Sequence, residues 1–118
     1  MNIAQMPQHT ETNLAEQRLE LTAKFFRGLT DLTRLRILEI LLEESEKNVS
    51  ELVEALGLAQ GRVSSHLACL RWCGFVSSRR EGKYVYYGIS DPRVPQFIEG
   101  ARGVIADNAL AILNCTRM

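Results

Sequence analysis

Cys69 and Cys73 stand four residues apart in the segment 61–73, GRVSSHLACLRWC. On a helix this spacing puts both side chains on one face with Cβ atoms about 5 to 6 Å apart. That is wide for a disulfide, which needs roughly 3.5 to 4.5 Å, but suited to two thiolates sharing one soft metal ion. The third and last cysteine, Cys115, follows 42 residues after Cys73. Three cysteines without dense spacing do not make a secreted disulfide framework. In a reducing compartment they remain thiols, open to metal binding, redox chemistry or plain packing as small hydrophobes.

Thiolates are soft donors and favour Cd(II), Pb(II), Hg(II) or Zn(II) over cations that prefer oxygen. A site of three thiolates alone selects the larger ions that accept three-coordinate geometry. Zinc usually completes a tetrahedron, so it ranks below them unless water or His66, on the same side of the helix as the pair, joins.

The elements that must position these thiols are legible in the pattern. Residues 1–12 are polar, contain Pro7 and His9 and lack periodicity, and are expected to form a mobile arm before a single domain over 13–118. From Asn13 the residues Leu14, Leu21, Phe25 and Phe26 predict a helix that stops at Gly28. Thr30 or Asp31 can cap a second helix, whose apolar body is Leu35, Leu38, Ile40, Leu41 and Leu42, before the charged stretch 43–47. Asn48 and Glu51 make a capping-box-like start to a short helix ended by Gly57. A further helix buries Val63, Leu67 and Leu70 and turns Ser64, Ser65, Ala68 and Arg71 the other way. Two helices joined by a short glycine-containing turn are a helix-turn-helix. The runs 75–80 and 83–89, on either side of a turn at Glu81-Gly82, predict a hairpin, the wing. A last helix after Pro92 carries a near-heptad seam of Val94, Phe97 or Ile98, Ala101, Val104 or Ile105, and Ile112. With the first helix it is the expected dimer interface, unless the seam packs within one subunit.

The 118-residue chain has a net charge of zero, which argues against a nucleic-acid partner until the charges are located. Residues 1–59 sum to −4, 60–83 to +4 and 84–118 to zero. The basic island coincides with the second helix of the helix-turn-helix and the wing, as a phosphate-binding surface would. A recognition helix turns its N-terminal residues toward base edges, so Gln60, Arg62, Ser64, Ser65 and His66 are the candidates there. Arg79, Arg80 and Lys83, with Tyr84 beside them, are expected to meet backbone or minor groove. His66 has a second reading, as a satisfied, partly buried histidine. A two-fold dimer predicts an inverted-repeat operator in double-stranded DNA.

The order of elements, with the words DLTRLRIL at 31–38 and VSSHLACLRWCGFV at 63–76, strongly resembles the ArsR/SmtB family of bacterial metal-responsive repressors over about residues 14–113. Leu32 stands where the family pattern usually has proline. The resemblance implies a winged helix-turn-helix fold, mainly α with a β-hairpin wing, that dimerises through its N- and C-terminal helices. Two family metal sites are missing: 48–56 holds no cysteine, and the last helix offers Asp107 but no histidine. What remains, Cys69, Cys73 and Cys115, is similar to the ligand set of the CmtR-like cadmium and lead sensors and their mercury-responsive relatives. This implies a site shared between subunits, although the residues alone leave open which subunit supplies Cys115. The implied function is a homodimeric repressor released from DNA by Cd(II), Pb(II) or Hg(II).

Two other functions fit the same fold. One is a thiol redox repressor pairing Cys115 with Cys69 or Cys73, and the other a winged-helix protein-interaction module without DNA binding. An enzyme is not expected: there is no nucleophile with a plausible base, no glycine-rich phosphate loop and no carboxylate pair in an apolar cleft. No apolar run approaches the ~18 residues of a membrane span, and no basic stretch leads into an apolar one at the N-terminus. A cytoplasmic location is therefore expected.

Overall fold

The structure is a computed structural model that describes residues 11–117, with side chains from Asn13 to Arg117. The elements in order are α1 (Glu11–Arg27), α2 (Leu32–Glu44), β1 (Glu46–Asn48), α3 (Val49–Leu56), α4 (Gln60–Trp72), β2 (Val76–Glu81), β3 (Tyr84–Ile89) and α5 (Arg93–Asn114). Most of the arm expected at 1–12, including His9, lies outside the described residues. Residues 11 and 12 belong to α1 instead.

Local signals place the helices. Asp31 caps α2 by accepting a hydrogen bond from Arg34 N at 3.1 Å. Asn48 and Glu51 form a reciprocal capping box at α3, with bonds of 2.9 and 3.0 Å, and Gly57 ends that helix in the left-handed conformation. At the end of α4, Gly74 N bonds to Arg71 O and Phe75 N to Leu70 O, with Gly74 at φ 84°. This is a Schellman stop, which only a residue tolerant of positive φ makes cheaply. It leaves Cys73 as the C-cap residue and drives Phe75 into the core.

Ile37, Leu38 and Leu41 of α2, Leu52 of α3, the predicted stripe Val63, Leu67 and Leu70 of α4, and Phe75, Val76 and Val94 make one buried core. Leu35, expected in that core, is 41% exposed because it faces outward from α2. Phe25 of α1 lies 4.5 Å from Phe75 and 5.7 Å from Phe97 of α5, ring centre to ring centre, so aromatic contacts hold both terminal helices against the body.

The sheet has three antiparallel strands in the order β1-β3-β2, and β1 lies in what the sequence reads only as a charged stretch. Its three residues pair with the edge of β3, Glu46 opposite Gly88 and Asn48 opposite Tyr86. The hairpin turn is one residue later than expected: Glu81 pairs with Tyr84, so Gly82 and Lys83 form a two-residue loop with Gly82 at φ 61°. Phe75 precedes the strand rather than opening it. Helix α5 buries side chains only at its start, and farther along Arg102 reaches Glu39 of α2 at 3.4 Å. From Glu99 onward every described residue is exposed, and the helix bends at Asn108, whose side-chain amide donates to Val104 O at 2.9 Å.

Candidate functional site

Cys69 and Cys73 are half-buried next to one another on one face, where the end of α4 meets the end of α1. Burial pushes the Cys73 thiol up and the adjoining Cys69 adds to the shift, while the positive charges of Arg34 and Lys24 pull it back. Cys73 opens into an apolar groove of about 330 Å³ that it lines with Leu21, Lys24, Phe25 and Trp72. Trp72, whose indole is free of the core, is 85% exposed beside it.

The donor set fits a soft ion in part. Two thiols already face each other, two cations stand near enough to offset thiolate charge, and the groove gives access from solvent. Cys115 is exposed at the C-cap of α5, and among the described residues no group of three His, Cys, Asp or Glu could hold a metal within one subunit. The single chain thus brings together Cys69 and Cys73 but not Cys115.

His66 turns inward. Its side chain is 14% exposed, and its Nδ1 accepts from Arg34 Nε at 3.1 Å and lies 4.0 Å from Asp31 Oδ1. That is the placement of the satisfied histidine, and it does not support the base contact expected of it. The geometry also fixes a role for Arg34 that the sequence does not reveal. Its one local signal is its place three residues after the Asp31 cap.

Gln60, Arg62, Ser64 and Ser65 are all exposed on α4. Gln60 shares a cleft of about 290 Å³ with Asn48, Val49 and Ser50 at the start of α3 and with Lys83, Tyr84 and Val85 at the wing tip. The beginning of the recognition helix and the tip of the wing therefore form one continuous surface, with Lys83 Nζ 5.3 Å from the centre of the Tyr84 ring. Arg71 reaches from α4 to the Ser78 hydroxyl at 3.3 Å and braces the base of the wing.

The two wing arginines differ. Successive strand residues point to opposite faces. Arg80, opposite Val85, shares the face of Ser78 and buried Val76, and among the described residues bonds only to the turn carbonyl of Gly82 at 3.3 Å. Arg79 lies on the other face, 2.7 Å from Glu46 and 2.8 Å from Glu81, with its guanidinium 4.9 Å from the centre of the Tyr86 ring. To touch a phosphate, Arg79 would have to leave two carboxylates, whereas Arg80 would give up one turn contact.

The chain matches the model of the bacterial regulatory protein arsR family over residues 31–78, the stretch from the α2 cap through the first part of the wing. It is 50% identical over 97 residues to a probable mercury resistance operon repressor of Streptomyces lividans, covering 82% of this chain and 77% of that protein. The chain belongs to the ArsR family. Another relative, the HTH-type transcriptional regulator CmtR of Mycobacterium bovis, is 37% identical over 82% of this chain and 78% of its own. The solution structure of the homodimeric winged helix-turn-helix DNA-binding domain Mb0332 from Mycobacterium bovis, a possible ArsR-family transcriptional regulator, superposes with a TM-score of 0.72 at 30% identity. That match covers 89% of this chain and 94% of that one. The winged helix-turn-helix assignment holds, and the ArsR fold makes this chain a DNA-binding transcriptional regulator. Among the described residues, no helix is long and apolar enough to cross a membrane.

Proposed function

We propose that this ArsR-family regulator is a cytoplasmic homodimeric repressor that leaves its operator when Cys69, Cys73 and Cys115 capture a thiophilic divalent ion, Hg(II), Cd(II) or Pb(II). The observation that carries the reading is the facing, half-buried thiol pair on the recognition helix itself. Any ligand held there acts on the element that reads DNA. The relative at 50% identity is named for mercury resistance, which puts Hg(II) first among the three ions. Because one subunit does not gather three donors among its described residues, the reading assigns the third thiol to Cys115 of the partner subunit, brought by the exposed distal part of α5. When bound, the ion would supply a soft electrophilic centre that ties two thiolates of α4 to a second chain. The chain's own contribution is to hold the pair on one helix face, to offset its charge with Arg34 and Lys24, and to present Gln60, Arg62, Ser64 and Ser65 with the wing tip to an inverted-repeat operator.

Linkage requires that the operator weaken metal binding by the factor by which metal weakens operator binding, with couplings on the order of 1 to 3 kcal/mol. Anaerobic titration of the reduced protein with Cd(II) or Hg(II), following ultraviolet thiolate-to-metal charge transfer and operator anisotropy together, tests this directly. The expected result is a band that saturates at one ion per subunit as DNA is released, absent in Cys69→Ser and weakened in Cys115→Ser. Unchanged operator affinity at metal saturation would sink the reading. Release by peroxide, with no response to either metal, would put the thiol redox function in its place.

A further inference from the structure

One guanidinium joins the elements that frame the thiol pair. Arg34, in the first turn of α2, donates from Nε to His66 Nδ1 at 3.1 Å and from Nη1 to the carbonyl oxygen of Gly28 at 3.5 Å. Gly28 is buried at the end of α1, against the end of α4. A Cβ there would sit 3.2 Å from the Phe25 carbonyl oxygen and 3.6 Å from Cys73 Sγ. Asp31, the α2 cap, accepts from Arg34 N and stands 4.0 Å from His66 Nδ1. Along α4, His66, Cys69 and Cys73 follow one another at intervals of three and four residues and so form a single stripe. Arg34 grips that stripe at His66, and its second bond ends on Gly28, the residue packed against Cys73 at the other end.

We propose that Arg34 is the coupling residue of the switch: His66 and the thiol pair compete for one guanidinium, and its partner sets the pose of α4 against α2. This rests on the thiol-metal reading above. While the thiols are neutral, the acceptors within reach are His66 Nδ1 and the Gly28 carbonyl, and the bond to His66 locks the recognition helix to the start of α2. When the thiols become ligands, their protons pass to solvent, and three thiolates carry more negative charge than a divalent ion neutralises. A guanidinium has five donors in a fixed fork and is weakly hydrated, so it can follow that charge. Doing so unmakes the bond to His66 within one turn of Ser64 and Ser65. Lys24 lines the groove at Cys73 but, among the described residues, makes no hydrogen bond to α4, so it can offset charge without moving the helix. Arg34 is a positioning residue in this scheme, acting on DNA through His66.

The test is the ratio of operator affinities without and with saturating Cd(II), measured by anisotropy on the full-length dimer of the wild type, Arg34→Gln, His66→Phe and the double variant. The Cd(II) thiolate band is recorded for each. A wild-type ratio on the order of 5- to 150-fold is expected from typical couplings. In Arg34→Gln the band should persist at wild-type stoichiometry while the ratio falls toward unity. His66→Phe, which removes the acceptor from the opposite side, should give the same loss, and the double variant no more than either single one. A merely structural arginine would lower operator affinity in both states and leave the ratio where it was. That result, or losses that add in the double variant, overturns the proposal. Should Arg34→Gln fail to fold, His66→Phe decides alone by the same ratio. A wild type without the band or without release defeats the functional reading, and the coupling with it. A responsive wild type whose variants keep its ratio defeats only the coupling.

Discussion

The winged body and the two terminal helices are built on different terms. Between Asp31 and Ile98 the chain buries ten apolar residues in one core and closes its helices with side-chain or glycine caps. Along α1 and the distal part of α5 the apolar residues stay outside: Leu14, Leu19, Leu21, Val104, Ile105, Leu110 and Leu113 are 45 to 79% exposed. Exposed apolar residues in this number suit an interaction face, and none of these side chains belongs to the buried core of the body. One region therefore specifies the fold of a subunit, and the other offers the face on which the homodimer proposed above would assemble. The thiols divide along the same line, with Cys69 and Cys73 in the body and Cys115 on the outlying helix.

The contrast is broken most severely from inside the body. Leu38→Ala removes a side chain with no exposure and should cost about 2 to 5 kcal/mol of subunit stability, read by denaturant unfolding. The paired substitution Leu110→Asp with Leu113→Asp should leave the unfolding midpoint of the isolated subunit nearly unchanged. It should instead raise the dimer dissociation constant by tenfold or more, on the order of a buried charge's cost of a few kcal/mol, read by sedimentation. Equal effects of the two changes on subunit unfolding would mean that the distal helix belongs to the body after all.

A smaller effect sharpens the division within the wing. Arg80→Ala should lower the magnitude of the slope of log affinity against log salt by about 0.9, the signature of one lost phosphate contact. Arg79→Ala should leave that slope within error, because its guanidinium is held by Glu46 and Glu81, and should instead loosen β1 from the hairpin. A reversed pattern in operator titrations at several salt concentrations would return Arg79 to the DNA surface.

What the sequence reveals follows the range of the interaction. The α2 cap, narrowed by sequence to Thr30 or Asp31, the Asn48 and Glu51 box and the Gly57 stop each act within a few residues, and residue types alone place all three. Strand β1 is not, since nothing in Glu46, Lys47 or Asn48 favours a strand; the open edge of β3 recruits it. The same limit governs the site. Helical spacing places Cys69 beside Cys73, but the bonds that tie His66 to Arg34 and Arg79 to Glu46 cross 32 and 33 residues of chain. No local pattern records them. The basic island marks a candidate DNA surface as a region while saying nothing of which arginine is already occupied.

The mildest test lies at the joint between the two regions. Asp91 precedes α5 and accepts from Arg93 N at 2.8 Å, while the Arg93 guanidinium pairs with its carboxylate at 2.6 Å. These bonds hold the Asp91 carboxyl down to about 2. A folded value depressed in this way stabilises the native state above the unfolded value of about 3.9, and the contribution is lost as pH falls through the folded value. Unfolding of the wild type should therefore become easier as pH drops from about 4 toward 2, and Asp91→Asn should flatten that part of the profile. The pair is exposed to solvent, so the change is small and should shrink further in high salt. Because this pair only shapes the turn into α5, while Val94, Phe97 and Ile98 dock the helix start on the core, the dimer dissociation constant at neutral pH should be the same in Asp91→Asn and wild type. A loss of dimer in that variant would show that the angle at which α5 leaves the body, and not only its apolar stripe, is part of the assembly face.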